Sequence, residues 1–223
     1  MIRLVKGPVP PVLAQSSQVW TQVLRERAER NEAPTTAEAT RYRHADVKTA
    51  LLAETSGKCA YCESKVRHVT YGDVEHIVPK SVDILKTYQW SNLTLACDVC
   101  NTNKGAHFGN HEDLVDPYAE DPENHFDFLG AVVLPKPHSV PGMITEETIR
   151  LNRIELMERR KDRLQALLRE LQLYARMTDA NERAVLRRSL ETVSMSAQSE
   201  YTAMARAYVS QQLARIDLDE QAR

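Results

Sequence analysis

The chain has little of several things, and each scarcity excludes a class of protein. Aromatic residues make up 6% of its 223 residues and there are only seven glycines, which argues against an all-β protein built on many tight turns. No apolar run approaches the ~18 residues of a membrane-spanning helix. The opening MIRLVKGPVPPVLAQ lacks the apolar core of a secretory signal, so a cytoplasmic location is expected. The formal net charge is −2, so the molecule as a whole is no general polyanion binder, and any contact with nucleic acid must come from a local patch or a partner. A GxxxxGK[ST] phosphate loop is missing, which leaves any nucleotide-dependent control to another protein.

Cysteine is also scarce, but its placement is informative. All four cysteines fall in two CxxC pairs, Cys59/Cys62 and Cys97/Cys100. In a secreted protein they would suggest two disulfides; in a reducing compartment they suggest a metal site. Two CxxC turns offer four thiolates to a tetrahedral ion, which fits structural zinc. With every position filled by protein, that ion has no open site for catalysis.

Around these pairs the pattern predicts helices over about 16–31 and 44–55, the second stopping at Gly57. Between the pairs, VTYGDVEHIV (69–78) has a turn signal flanked by β-formers and is expected to be a short hairpin ended by Pro79. Residues 90–96 are expected to be a loop or short extended piece, and a helix is expected after Cys100. Residues 106–147 hold nine acidic residues, one lysine and several prolines, and are expected to be a solvated, irregular connection. From about Glu146 onward, Leu164, Leu167, Leu168, Leu171 and Tyr174 recur at helical spacing. Breaks near 178–181 and 194–199 divide the tail into about three helices. The expected fold class is α+β and mostly helical. Its divisions are residues 1–57 (extended segment and helices), 58–110 (core), 111–145 (acidic connection) and 146–223 (helical region).

DVEHIVPK followed by WSNLTLACDVCNTNKG resembles the HNH (ββα-metal) endonuclease family in its four-cysteine zinc form, over residues 58–105. The resemblance implies phosphodiester hydrolysis, which needs an activated water and charge neutralisation at the phosphate. His76 is then the candidate general base, since a neutral imidazole can take a proton near pH 7. Glu75 and Asn101 would offer oxygen ligands to a hard divalent ion. By resemblance, Asn92 bridges the hairpin loop and orients His76 without touching the metal. The chain departs from the commoner pattern in carrying Glu75 for Asp and Asn101 for His, which shifts the expected ion towards magnesium or manganese. Asp73 is a possible auxiliary carboxylate or only a turn residue. Lys80 and Lys104 flank the motif as candidate phosphate contacts. His68, His107, His111 and His125 are expected to be ordinary surface or satisfied histidines.

IRLVKGPVPPVL, RYRHADVKTALLAETSGKCAYCE and ETIRLNRIELMERRKDRL resemble a narrower group, the HNH component (PtuB) of the Septu antiphage defence system, also attached to some retrons. That resemblance implies an effector that cuts nucleic acid, DNA more than RNA, beside a PtuA-like ABC-type ATPase. The competing expectation is a non-catalytic zinc-knuckle module that binds nucleic acid or protein.

Overall fold

The computed structural model describes residues 1–66, 72–108 and 114–221. Helix α1 (Pro11–Glu29) opens earlier than its apolar periodicity suggests. Pro11 sits in the first turn, where its fixed φ suits a helix and its missing N–H costs nothing. α2 (Thr36–Thr40) is a single turn held by a capping box between Thr35 and Glu38. The 3₁₀ turn Arg41–Arg43 leads into α3 (Ala45–Glu54), which buries Val47 and Leu51 one turn apart. Gly57, at φ +70°, makes the left-handed exit into the first cysteine pair.

Strand β1 (Asp73–His76) finds a described partner well beyond it in the chain. Its antiparallel partner is β2 (Leu93–Ala96), in the register Asp73↔Ala96 to His76↔Leu93. The expected first strand at 69–71 lies outside the described residues. Gly72 still has a reason to be glycine: its φ is +64°, and a Cβ there would meet Val66 at 3.0 Å and Leu95 at 3.3 Å. β2 is buried along its whole length. Helix α4 (Asp98–Lys104) follows at once, with Cys97 as N-cap and Cys100 inside it.

The acidic connection is built structure rather than a solvated linker. Its described part carries the antiparallel pair β3 (Phe126–Leu129) and β4 (Val132–Pro135), then α5 (Val140–Ile149). Val115, Phe126 and Val133 enter the same core as the cysteines, Leu93, Leu95, Leu151 and Met204. Scattered apolar residues do this work, which is why composition alone hid them. The tail forms α6 (Ile154–Arg176), α7 (Ala180–Ser189) and α8 (Thr202–Gln221), with the breaks where the sequence has them. The turn before α8 docks on the first cysteine pair: Lys58 donates to Ser199 O (2.8 Å), and Glu200 accepts from Lys65 N (2.7 Å). Among the described residues no helix is long and apolar enough to cross a membrane.

Candidate metal centre and active site

Two short elements present the cysteines. After Gly57, Cys59 N donates to Ser64 O and Glu63 N donates back to Cys59 O, closing a tight turn that holds Cys59 and Cys62. The start of α4 presents Cys97 and Cys100. All four sulfurs lie within 4.8 Å of one another, and Cys62 and Cys97 are 3.8 Å apart. Zn–S bonds of about 2.3 Å set tetrahedral S···S distances near 3.8 Å, whereas a disulfide needs about 2.0 Å. The cluster therefore fits a tetrahedral thiophilic ion and not a disulfide. Without a cation the four cannot ionise together. Hydrogen bonds from neighbouring thiols hold Cys62 and Cys97 below the usual thiol value, while Cys59, by burial, and Cys100, by its thiol contacts, are held above it. Arg153 adds a guanidinium 3.7 Å from Cys100 Sγ.

Next to this frame, α4 packs on β1. Asp73 and Glu75 alternate onto one face of the strand. Asn101 and Lys104, three apart, share one face of the helix. They meet as two pairs: Asn101 Nδ2 donates to Asp73 Oδ2 at 2.8 Å, and Lys104 Nζ lies 2.8 Å from Glu75 Oε1. Lys104 also donates to His76 O at 2.8 Å. Its side chain is only 2% exposed, so it is not a freely solvated lysine: the stem is enclosed and the ammonium neutralises a buried carboxylate. Burial pushes the Glu75 carboxyl above its usual range, and Lys104 opposes that shift. Asp73, Glu75 and the Asn101 amide are hard oxygen donors of the kind magnesium and manganese take. Among the described residues the cysteines are the only cluster of three or more His, Cys, Asp or Glu close enough to hold one ion. A hard ion here would thus depend on the asparagine.

His76 ends β1. It is 5% exposed, and its ring meets Tyr42 edge-on at 4.5 Å. Its Nε2 is 3.0 Å from Thr87 O. A carbonyl only accepts, so Nε2 carries the proton and Nδ1 keeps the lone pair of the neutral ring. Burial is the main cause that draws this imidazole down to about 4, with Lys80, Lys104 and Arg43 adding to it against the Thr87 bond. The ring is therefore neutral at physiological pH.

Asn92 closes the loop between the strands. Its Oδ1 accepts from Val78 N (2.7 Å), and its Nδ2 donates to Val78 O (3.0 Å) and Lys86 O (3.2 Å). None of these bonds goes to His76. The connection runs through the backbone, since Lys86 precedes the Thr87 whose carbonyl holds the imidazole. Lys80 is half-buried, with Nζ 3.2 Å from Tyr42 Oη. His125 is satisfied by Ser139 and Glu120, as expected of a bystander, and His107 is exposed. His68 and His111 lie outside the described residues. Tyr42 and Thr87 carry no sequence signal of their own, because what they contribute is an aromatic edge and a backbone carbonyl.

A family model described as HNH endonuclease matches residues 59–107. A Septu protein PtuB of Bacillus thuringiensis is 31% identical over 110 residues, covering 49% of this chain and 42% of that protein. A Septu protein PtuB of Bacillus mycoides (strain KBAB4) is 27% identical over 150 residues, covering 53% of this chain and 51% of its own. The chain spans about half the length, or less, of these curated relatives. The matched segment contains both cysteine pairs, Glu75 and His76 on β1, the loop-closing Asn92 and Asn101 on α4; residues 59–107 match the HNH endonuclease family, within a chain similar to Septu PtuB proteins.

Proposed function

We propose that this chain is a divalent-metal-dependent nuclease that hydrolyses nucleic-acid phosphodiesters, DNA in preference to RNA, as the effector of a Septu-type antiphage assembly. The observation that carries the chemistry is His76: a neutral, buried imidazole whose Nε2–H is committed to Thr87 O, which leaves Nδ1 to take a proton from an attacking water. Glu75 and Asn101, with Asp73 beside them, are the residues that would hold a magnesium or manganese ion. Such an ion supplies Lewis acidity at the phosphate and the leaving oxygen. Asn92 and Thr87 position the base, and Lys104 sets the charge on Glu75. The four cysteines hold structural zinc, which fixes α4 against β1. Similarity to proteins named Septu PtuB supports the antiphage setting, and the sequence resemblance implies an ABC-type ATPase partner in the cytoplasm.

The test is cleavage of plasmid, single-stranded DNA and tRNA with magnesium or manganese, with and without that ATPase. His76→Ala is expected to abolish cutting while zinc content and circular dichroism stay as in the wild type. Undiminished cutting by the variant would overturn the assignment of the base.

A further inference from the structure

The matched segment supplies the chemistry but little to grip a polyanion, since Lys104 is enclosed and spent on Glu75. The cations around His76 that remain accessible come largely from outside the segment. Arg43 is exposed and stands over the Tyr42 ring, 5.6 Å from its centroid, while Lys80 stands over the same ring at 4.5 Å and reaches Tyr42 Oη at 3.2 Å. Tyr42 is buried and its ring meets His76 at 4.5 Å. One aromatic side chain thus fixes two cations and the candidate base relative to one another.

These cations are also free of acid partners. Arg27 and Arg30 pair with Glu32, Arg187 with Asp217, and Arg206 with Glu123. Among the described residues, Arg43 and Lys80 have no carboxylate within ion-pair distance, nor does Arg41, which lies over Trp20 at 5.5 Å on the same turn. What sets these unpaired cations apart is their place: they are gathered on the aromatic side chain that touches the candidate base, where an outside anion can reach them. Two cations held on one ring can each take a backbone phosphate, contacts that position a strand without reading its bases.

We propose that the Arg41–Arg43 turn, with Lys80, is the phosphate-gripping wall of the active site, and that Arg43 and Lys80 each bind a backbone phosphate of the nucleic-acid substrate next to His76. This rests on the nuclease function proposed above and names the side of the site on which the strand lies. The turn precedes residue 59, so an isolated 59–107 segment would lack most of this wall.

The experiment measures binding of the full chain to end-labelled duplex DNA, single-stranded DNA and RNA by fluorescence anisotropy across a salt series, without added divalent ion. Cleavage with magnesium or manganese is measured in parallel. Each phosphate contact contributes roughly 0.9 to the slope of log K against log salt on duplex and about 0.7 on a single strand. Arg43→Gln and Lys80→Gln should each lower the slope by about that amount on the bound substrate, and the double variant by about twice that. Arg159→Gln, which removes an exposed charge from α6, should leave the slope unchanged. An unchanged slope for Arg43→Gln in a folded, zinc-loaded variant overturns the wall while leaving the nuclease function standing. The same holds if Arg159→Gln lowers the slope equally, since the attraction would then be diffuse. A wild-type chain that neither binds nor cuts any of the three substrates overturns both. The arm that binds identifies the polymer.

Discussion

Lys104→Met removes an ammonium and keeps an unbranched stem of similar length in a site that is 2% exposed. The variant leaves Glu75, whose side chain is 8% exposed, without its counter-charge, and leaves His76 O without the donor at 2.8 Å. Removing one partner of a buried pair costs on the order of 3–5 kcal/mol, because the other charge stays buried and uncompensated. At roughly 2 °C per kcal/mol for a chain of this size, the melting temperature should fall by about 6–10 °C near neutral pH. The loss should shrink in acid. Glu75 is already raised by burial, so it takes up a proton readily once Lys104 is gone and thereby sheds the charge that causes the cost. Glu75→Gln in the same chain should restore most of the stability, giving a coupling well above the ~0.5 kcal/mol expected of independent sites. The assay is urea unfolding of wild type, both single variants and the double variant at pH 7.5 and pH 5.5, in zinc-loaded protein. A loss below about 1 kcal/mol for Lys104→Met, or simple additivity in the cycle, would refute the claim that this lysine neutralises Glu75.

Three further outcomes follow from the same geometry. His76 sits at about 4 against an ordinary 6.5, so between those values the unfolded chain binds more protons than the folded one. Its contribution, up to about 3 kcal/mol, is complete above pH 6.5 and is lost as pH falls towards 4; unfolding free energies of wild type and His76→Phe from pH 7.5 to 4.5 should converge in acid, and parallel curves would exclude it. Cys97→Ser should bring zinc below one per chain by mass spectrometry and lower thermal stability sharply, because a structural ion's binding energy is folding energy; full zinc occupancy with unchanged melting would contradict the four-thiolate centre. Asn92→Ala strands Val78 N, Val78 O and Lys86 O, at about 1–3 kcal/mol for each buried group left unpaired. Faster hydrogen exchange across 77–92 and slower cleavage are expected, and unchanged exchange there would remove Asn92 from the support of His76.

How much of this was legible beforehand depended on how local each signal was. The CxxC spacing and the Glu75-His76 pair are properties of a few adjacent residues and could be read directly. The helical tail was legible because α6 buries Leu156, Leu167, Leu171 and Tyr174 on one stripe. The partner of β1 was not, because 16 residues lie between the end of β1 and the start of β2 and a turn signal at Gly72 suggests a nearer one. The pairing of Lys104 with Glu75 was not legible either, because lysine ordinarily faces water and only the packing of α4 on β1 shows which carboxylate it meets. The connection was misjudged for the opposite reason: its acids and prolines dominate its composition, while Val115, Phe126 and Val133 settle its position.

The flanking elements tie residues 59–107 into a larger body. Thr94 lies directly across from Glu75 in the strand pair, and its hydroxyl is 2.9 Å from Tyr118 Oη. Tyr118 in turn reaches Glu54 on α3, and Glu54 also holds Lys6, which stands 4.0 Å over the Trp90 ring. The N-terminal segment, α3 and the acidic connection therefore converge on β2, the strand paired with Glu75 and His76. On the other side, Arg153 touches the thiol cluster, and Arg160, 3% exposed, spends its guanidinium on Leu151 O and Ala131 O. Four thiolates around one Zn²⁺ leave two net negative charges, and a buried arginine needs an opposing field. α6, with the turn ahead of it, brings two cations to that side of the cluster. The flanks thus bring cations to the cysteine cluster and pack behind the proposed active site.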